Sequence, residues 1–567
     1  MSAPPATPPA GIVGLLQDLA AERPDALAYR FIESASQIDH IAWGALARRA
    51  MVFARRLGAL TRPGDRVLLA LPPGLDHVTA LFGCFWAGVV VVPTLPLRQR
   101  RNLLMLQAIA KDCDAVALIC DEGDARELRA AATVAGAGPT LLARLPSLAP
   151  SAESAPDESG EIFAPAPTAT HDLALLQYTS GSTGAPKGVM LTHANLLHNL
   201  QGQGRAYGIG ANSRGVIWLP PHHDMGLNSG ILQPLYAGCE VTLMSPLYAM
   251  QRPLRWLQAI SDTRATVSGG PSFAFAACIA AAPQLAPGAL NLSSWRCAFL
   301  GAEQIHAPTM REFVRAFAPF GLRDDIFAAS YGLAESTVLA TSDGTGRLRT
   351  HAHAGRELVG CGQAIDGLAL AIVDPETCQP LAAGQEGEIW LRGPSISTGY
   401  WRARDETERA FHARLAGDPV PWMRTGDLGA LLNDDLVITG RIKDVIIFAG
   451  RKLHAEDIES RVRDVDPDRL TDALIAAFAM DGGDREVLNV IVEVAARHRN
   501  QIEALETLRP DIVRAVMRDF DVRIARIAFV RPGYLPRTSS GKVRRQGCRE
   551  LVTPIAPITP EEEVPLP

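Results

Sequence analysis

No Cys-x-x-Cys pair occurs in the 567 residues, and the nine cysteines stand singly along the chain. That spacing argues against structural zinc and against a disulfide framework, and it suits a reducing compartment such as the cytoplasm. A basic excess is also missing. The 55 Lys and Arg residues face 61 Asp and Glu, a formal net charge of −6, which makes nucleic acid an unfavoured main partner. No repeat at a fixed period is present, so solenoids and propellers are set aside. The opening MSAPPATPPAG lacks a basic stretch ahead of an apolar run, and no secretory signal is read there. The one membrane candidate, Val78–Leu97, is broken by Pro93 and Pro96; it reads as a buried helix followed by a buried strand, without a transmembrane segment.

What is there is apolar and regularly punctuated. With 47% hydrophobic and 20% charged residues, the chain can bury one large core and a smaller second one. Short β-branched or apolar runs alternate with Gly/Pro/Ser loops and amphipathic helices: DRVLLALPPG (65–74), DAVALICD (114–121), RATVSGGPSF (264–273), RCAFLGAEQ (296–304) and DIFAASYGLAE (325–335). This alternation predicts an α/β domain of parallel sheets flanked by helices, with sites at the strand carboxyl ends. Residues 1–10 read as disordered and 11–440 as the large domain. A Pro/Ala/Ser-rich stretch at about 145–170 reads as a linker between its subdomains. Closely spaced antiparallel signals follow Asp427, with turns at Asn-Asp-Asp and Gly-Gly, and predict a small α+β domain over 441–551. Residues 552–567 read as a disordered acidic tail.

The densest chemical signal is LLQYTSGSTGAPKGVMLTH (175–193). An apolar strand runs into Thr179, Ser180, Gly181, Ser182, Thr183 and Gly184, with Lys187 beyond. Small residues with free amides and hydroxyls wrap phosphate oxygens closely, so the segment reads as a phosphate loop between a buried strand and a helix. A Walker A loop is excluded, because Pro186 stands where glycine should precede the lysine and Gly188 replaces the following Ser or Thr.

YGLAES (331–336), RTGDLG (424–429), GRIKDVIIFAG (440–450) and PRTSSGKVRR (536–545) follow in that order. With the phosphate loop, these motifs resemble the adenylate-forming superfamily of acyl-CoA synthetases, nonribosomal adenylation domains and luciferases, over about residues 12–550. The resemblance implies ATP and Mg²⁺ as cofactors and a reaction in which a carboxylate attacks the α-phosphate of ATP and expels pyrophosphate. Such a reaction needs fixed donors, a divalent metal and a mobile cation where charge builds. By the same resemblance, Glu335 holds the metal, as a hard oxygen ligand suits it. Tyr331 and Gly332 lie on one face of the adenine, with Gly301, Ala302 and Glu303 on the other. Asp427 and Arg441 hold the ribose, Lys542 is the adenylation lysine, and Lys443 is the hinge about which the small domain rotates.

WLPPHHDMGLNSGILQPLYAG (218–238) resembles the fatty acyl-AMP ligase branch. It implies His223 as a catalytic residue near the reacting carboxylate, with Asp224, Met225, Gly226, Ser268, Gly269, Pro271 and Phe273 around the acyl pocket. The adjacent His222, His223 and Asp224 are a poor metal set if they share one strand, since neighbours there point to opposite faces. That branch normally carries an insertion after YGLAE, and here only residues 336–361 separate Glu335 from Gly362, so the insertion is short or absent. The expected acceptor is the phosphopantetheine of a separate acyl carrier protein. Free CoA, an amino-acid or aryl-acid activator, and a silent nucleotide-binding module are the alternatives.

Overall fold

The computed structural model describes residues 11–97, 100–134, 142, 145–150, 163–180, 186–448, 451–470, 472–481, 486–537 and 543–551. The expectations for 1–10, Gly181–Gly184, the Gly-Gly turn at 482–483, Lys542 and 552–567 lie outside the described residues.

The apolar runs become strands because their β-branched and aliphatic side chains are covered on both faces. In the first sheet, six parallel strands stand in the order Phe327–Tyr331, Cys297–Leu300, Val267–Gly270, Arg214–Ile217, Glu240–Met244 and Leu27–Ser34, with antiparallel strands at either side. A second sheet runs Ser147–Leu148, Ala117–Ile119, Arg66–Leu69, Val90–Pro93, Leu173–Ser180 and Pro186–Thr192. Helices Trp43–Gly58 and Leu75–Trp86 and strands of both sheets share the main core, which includes the fully buried Trp43, Phe82, Trp256, Trp295 and Phe313. Val78–Leu97 divides into the helix Leu75–Trp86 and the strand Val90–Pro93, and among the described residues no helix is long and apolar enough to cross a membrane.

A third, antiparallel sheet is built from Ala369–Val373, Gly387–Arg392, Pro421–Leu432 and Ala413–Arg414, with Asp435–Arg441 also paired to Pro421–Leu432. Asn433 and Asp434 turn between the last two at φ 53° and 63°, the left-handed conformation that tight hairpins require. Beyond it, Leu474–Asp481, Glu486–Glu493 and Ile524–Val530 form a three-stranded sheet. It shares a separate apolar cluster with helices Ala455–Arg463 and Arg509–Phe520. The fold is thus a large α/β domain with parallel sheets plus a small α+β unit.

Two expectations are corrected. The stretch at about 145–170 joins strands of one sheet rather than two subdomains, since Ser147–Leu148 pairs with Ala117–Ile119 and Leu173–Ser180 belongs to the same sheet. The phosphate loop leads into a strand rather than a helix: Leu173–Ser180 and Pro186–Thr192 are antiparallel, with Thr179 opposite Lys187. The helix begins only at His193, where the Thr192 hydroxyl accepts from the Asn195 amide and closes a capping box.

Candidate active site

Parallel register places three motifs side by side. Gly270 pairs with Leu300, and Leu300 with Ala329, so the turns carrying Pro271 and Phe273, Gly301–Glu303, and Tyr331–Glu335 leave the sheet at neighbouring carboxyl ends. Gly332 is required by close approach, because a Cβ there would lie 1.8 Å from the Val338 carbonyl oxygen.

Pairing of Pro421–Leu432 with Asp435–Arg441 sets Asp427 opposite Arg441. Arg441 Nε lies 2.7 Å from Asp427 Oδ1, while the Tyr331 hydroxyl donates to Asp427 Oδ2 at 2.8 Å. Asp427 is 5% exposed, so its charge is screened little by water. Burial raises the Tyr331 phenol well above its ordinary value, and the neighbouring Asp427 charge pushes it the same way. Arg441 is raised by Asp427 first. The three motifs therefore meet at one carboxylate.

Glu335 is held beside them. Its backbone oxygen accepts from the Ser397 amide at 2.8 Å, and its Oε1 accepts from the Tyr400 hydroxyl at 2.8 Å. Burial raises the Glu335 carboxyl, an effect that the Tyr400 hydrogen bond opposes. The Lys187 ammonium lies 5.3 Å from the centre of the Tyr400 ring and 3.9 Å from Glu406 Oε1. Two backbone bonds, Trp401 N to Gly188 O at 2.8 Å and Met190 N to Gly399 O at 3.0 Å, hold the Tyr400 segment on the strand that carries Lys187. Lys443 is lowered by burial first and then by the charges of Lys187 and Arg441.

Tyr400 was not singled out in the sequence. Its signal is an aromatic in STGYW soon after the strand GEIWLRG, and only the tertiary contacts give that residue a partner.

The HHDMGL segment is a turn followed by the short helix Asp224–Leu227, not a strand. His222 and His223 are therefore not on opposite faces: their rings are 4.9 Å apart. His222 is held well below its ordinary value by burial first, then by repulsion from His223 and His77, which favours the neutral ring. His223 Nε2 is buried and has no partner among the described residues, and no described group of three His, Cys, Asp or Glu has metal-binding geometry. Asp224 Oδ1 accepts from the Met225 amide at 2.7 Å. Gly226 is packed so tightly that a Cβ would stand 2.0 Å from the Pro220 carbonyl oxygen. Met225 Cε sits 3.8 Å from where a Cβ on Gly301 would lie, so the histidine turn abuts the Gly301–Glu303 turn.

Phe273 is half-exposed and meets the edge of Trp218 at 6.0 Å. Ser268 is fully buried in the core, where its hydroxyl donates to the Val216 oxygen at 2.5 Å and accepts from Trp256 Nε1 at 2.8 Å. Glu303 Oε1 accepts from the Phe273 amide at 2.9 Å, which ties one oxygen of this carboxylate to the start of the helix Ser272–Ala281. A cleft of about 1030 Å³ lined by Arg23, Arg214, Arg264 and Arg296 opens at the amino ends of the first sheet's strands, and none of the expected site residues lines it.

Two carboxylates, the buried Asp427 on one side and the half-buried Glu335 on the other, with cationic Lys187 and Arg441 beside them, are chemistry suited to a nucleotide and its phosphates. A family model described as "AMP-binding enzyme" matches residues 16–401, and the chain belongs to the AMP-binding enzymes. Among curated relatives it is 36% identical over 564 residues to a medium-chain-fatty-acid–[acyl-carrier-protein] ligase, JamA, of Moorena producens, covering 95% of this chain and 94% of that protein. It is 32% identical over 575 residues to the long-chain-fatty-acid–AMP ligase FadD26 of Mycobacterium marinum, covering 95% and 96%. Among solved structures it is similar to the fatty acyl-adenylate ligase of Legionella pneumophila in complex with acyl adenylate and pyrophosphate, at 32% identity and a TM-score of 0.73, covering 96% and 97%.

Proposed function

We propose that this enzyme activates a fatty acid with ATP to the acyl adenylate, releasing pyrophosphate, and transfers the acyl group to the phosphopantetheine thiol of a separate acyl carrier protein. The observation that carries the reading is the contact of the HHDMGL turn with the Gly301–Glu303 turn through Met225. It brings the wall expected to border the acid against the wall expected to border the nucleotide. The naming of JamA and FadD26 for fatty-acid ligation supports it.

In the first step a carboxylate oxygen forms a bond to the α-phosphorus while the bond to the bridging oxygen of pyrophosphate breaks. Asp427 accepts both ribose hydroxyls, and a carboxylate with two oxygens suits that task. Tyr331, Gly332 and the Gly301–Ala302 turn flank the adenine. Thr179, Ser180 and the loop Gly181–Gly184 donate to the phosphates, with Lys187 as a fixed cation behind them. Glu335 would hold Mg²⁺. A single half-buried carboxylate fits that ion, which keeps waters and takes its remaining oxygens from phosphates. When bound, Mg²⁺ neutralises charge on the phosphates. Lys542 supplies the mobile charge between the α-phosphate and the acid, and Lys443 is the hinge residue for the second step. His223, with an unpartnered ring nitrogen, and Asp224 orient the acid, whose chain runs past Met225, Gly226, Gly269, Pro271 and Phe273.

The competing acceptor is free CoA, favoured by the short stretch 336–361. That stretch folds as the hairpin Thr350–His353 and Arg356–Val359, and Arg356 Nε lies 2.8 Å from Asp457 Oδ1 on the first helix of the small unit. A contact between this hairpin and the small unit is therefore retained, which supports restraint of its rotation and a carrier acceptor. The test measures pyrophosphate release and acyl adenylate by mass spectrometry across acids of graded length, then thioester formed with CoA and with holo carrier protein. Carrier acylation well above CoA acylation is expected. CoA equal to or better than the carrier refutes the acceptor, and release driven by amino acids but not fatty acids refutes the substrate class.

A further inference from the structure

Glu303 follows the strand Cys297–Leu300 in a GAE turn, where the family resemblance puts it beside the nucleotide. One oxygen of its carboxylate is engaged by the neighbouring helix. Oε1 accepts from the Phe273 amide at 2.9 Å, at the first turn of the helix Ser272–Ala281. The preceding Ala302 holds φ at 67°, a left-handed conformation that an L-residue adopts at a cost. A second, longer bond runs the same way, from the Ser272 hydroxyl to the Gln304 carbonyl oxygen at 3.4 Å. The start of this helix is thus tied twice to the loop that follows the neighbouring strand.

The consequence falls on Phe273. A carboxylate at a helix amino terminus is favoured by the unpaired amides and the helix dipole, and its hydrogen bond is charge-assisted. Phe273 is the residue whose amide is held; it is 49% exposed, and its ring makes an edge-to-face contact with Trp218 at the carboxyl end of the sheet. Freeing the amide frees the first turn and with it the ring's placement against Trp218. We propose that Glu303 is a positioning residue for the acyl substrate: it fixes Phe273 at the mouth of the acid's pocket. This rests on the reading of the site as one that takes a fatty acid.

Pyrophosphate release is measured against ATP and against fatty acids of graded length for the wild type, Glu303→Ala, Glu303→Gln, Phe273→Ala and the double variant. Glu303→Ala is expected to raise KM for the acid about tenfold, the scale of one lost charge-assisted hydrogen bond, with KM for ATP nearly unchanged. Glu303→Gln restores most of the loss, because its amide oxygen still accepts. Phe273→Ala raises KM for the acid alone, and the double variant adds little to either single change. A rise in KM for ATP with KM for the acid unmoved places the carboxylate on the nucleotide and overturns the proposal, as does an equal rise in both or in neither. Should Glu303→Ala fail to fold, Phe273→Ala without an effect on the acid overturns it equally. A wild type that releases no pyrophosphate with any fatty acid overturns the functional reading itself. An active wild type with an unmoved Glu303→Ala overturns this inference alone.

Discussion

Replacing Tyr400 by phenylalanine deletes one hydroxyl and leaves a ring of nearly the same shape. That ring packs edge-on against Phe411 at 5.2 Å and lies 5.3 Å from the Lys187 ammonium, and both contacts survive the change. What is lost is the 2.8 Å hydrogen bond to Glu335 Oε1. A hydrogen bond to a charged group contributes about 1.5–3 kcal/mol, which at about 1.4 kcal/mol per decade is roughly 10- to 100-fold in rate. The direction with pH follows from the same carboxyl. Burial makes Glu335 release its proton above the ordinary glutamate value, and the Tyr400 bond partly offsets this. The folded state therefore binds the proton more tightly than the unfolded one. Stability from this group is fully present below the ordinary value and falls as pH rises through the raised one. The capacity to hold a cation rises over the same window. Tyr400→Phe removes the offset, so the acid limb of activity moves to higher pH and more Mg²⁺ is needed at neutral pH. The assay is fatty-acid-dependent pyrophosphate release, titrated with Mg²⁺ at a series of pH values. An unchanged acid limb together with an unchanged Mg²⁺ requirement would refute the reasoning and detach Tyr400 from the metal's carboxylate.

Asp427→Asn keeps the shape but removes the charge opposite Arg441 and one of the two accepting oxygens, and is expected to weaken ATP binding about tenfold; isothermal titration with ATP checks it, and unaltered affinity rules the residue out of the nucleotide site. Gly226→Ala drives a Cβ to 2.0 Å from the Pro220 oxygen, a backbone clash that costs about 1–3 kcal/mol or more; a melting temperature equal to wild type would mean that the turn is not as tightly closed as described. Lys542→Ala is expected to slow adenylation about 10²- to 10³-fold, the usual scale for one preorganised charge, while transfer from preformed acyl adenylate stays nearly intact; equal loss in both half-reactions assigns the lysine another role.

Two segments fold differently from what their local pattern predicts, for one physical reason. LLQYTSGSTGAPKG followed by an apolar stretch looks like strand, loop and helix, because a glycine-rich loop often precedes a helix. The segment PKGVMLT instead pairs back on the preceding strand as a hairpin, with Thr179 opposite Lys187, and the helix waits for the Thr192 cap. HHDMGL reads as extended from its place after the apolar run VIWL, yet Gly226 allows the chain to close against Pro220, and the two imidazoles end 4.9 Å apart. In both places the deciding interaction joins segments whose pairing or close approach has no signature in hydrophobic period.

The presence of parallel sheets flanked by helices, the division into a large α/β part and a small α+β part, and the residue types at the strand ends were legible from the amino-acid sequence alone, whereas the order of the strands was not. The legible features depend on burial pattern and turn chemistry, which are local properties of the chain. Which side chains touch was decided only by tertiary structure. Asp427 meets Tyr331 because a third sheet stacks its edge beside the first, Glu335 meets Tyr400 because two backbone bonds hold residues 399–401 on the Lys187 strand, and Glu303 turns to Phe273 because neighbouring strands end in register. Each of these is a contact between residues distant in the chain, made specific by hydrogen-bond geometry within about 3 Å, and a one-dimensional pattern carries no record of that distance.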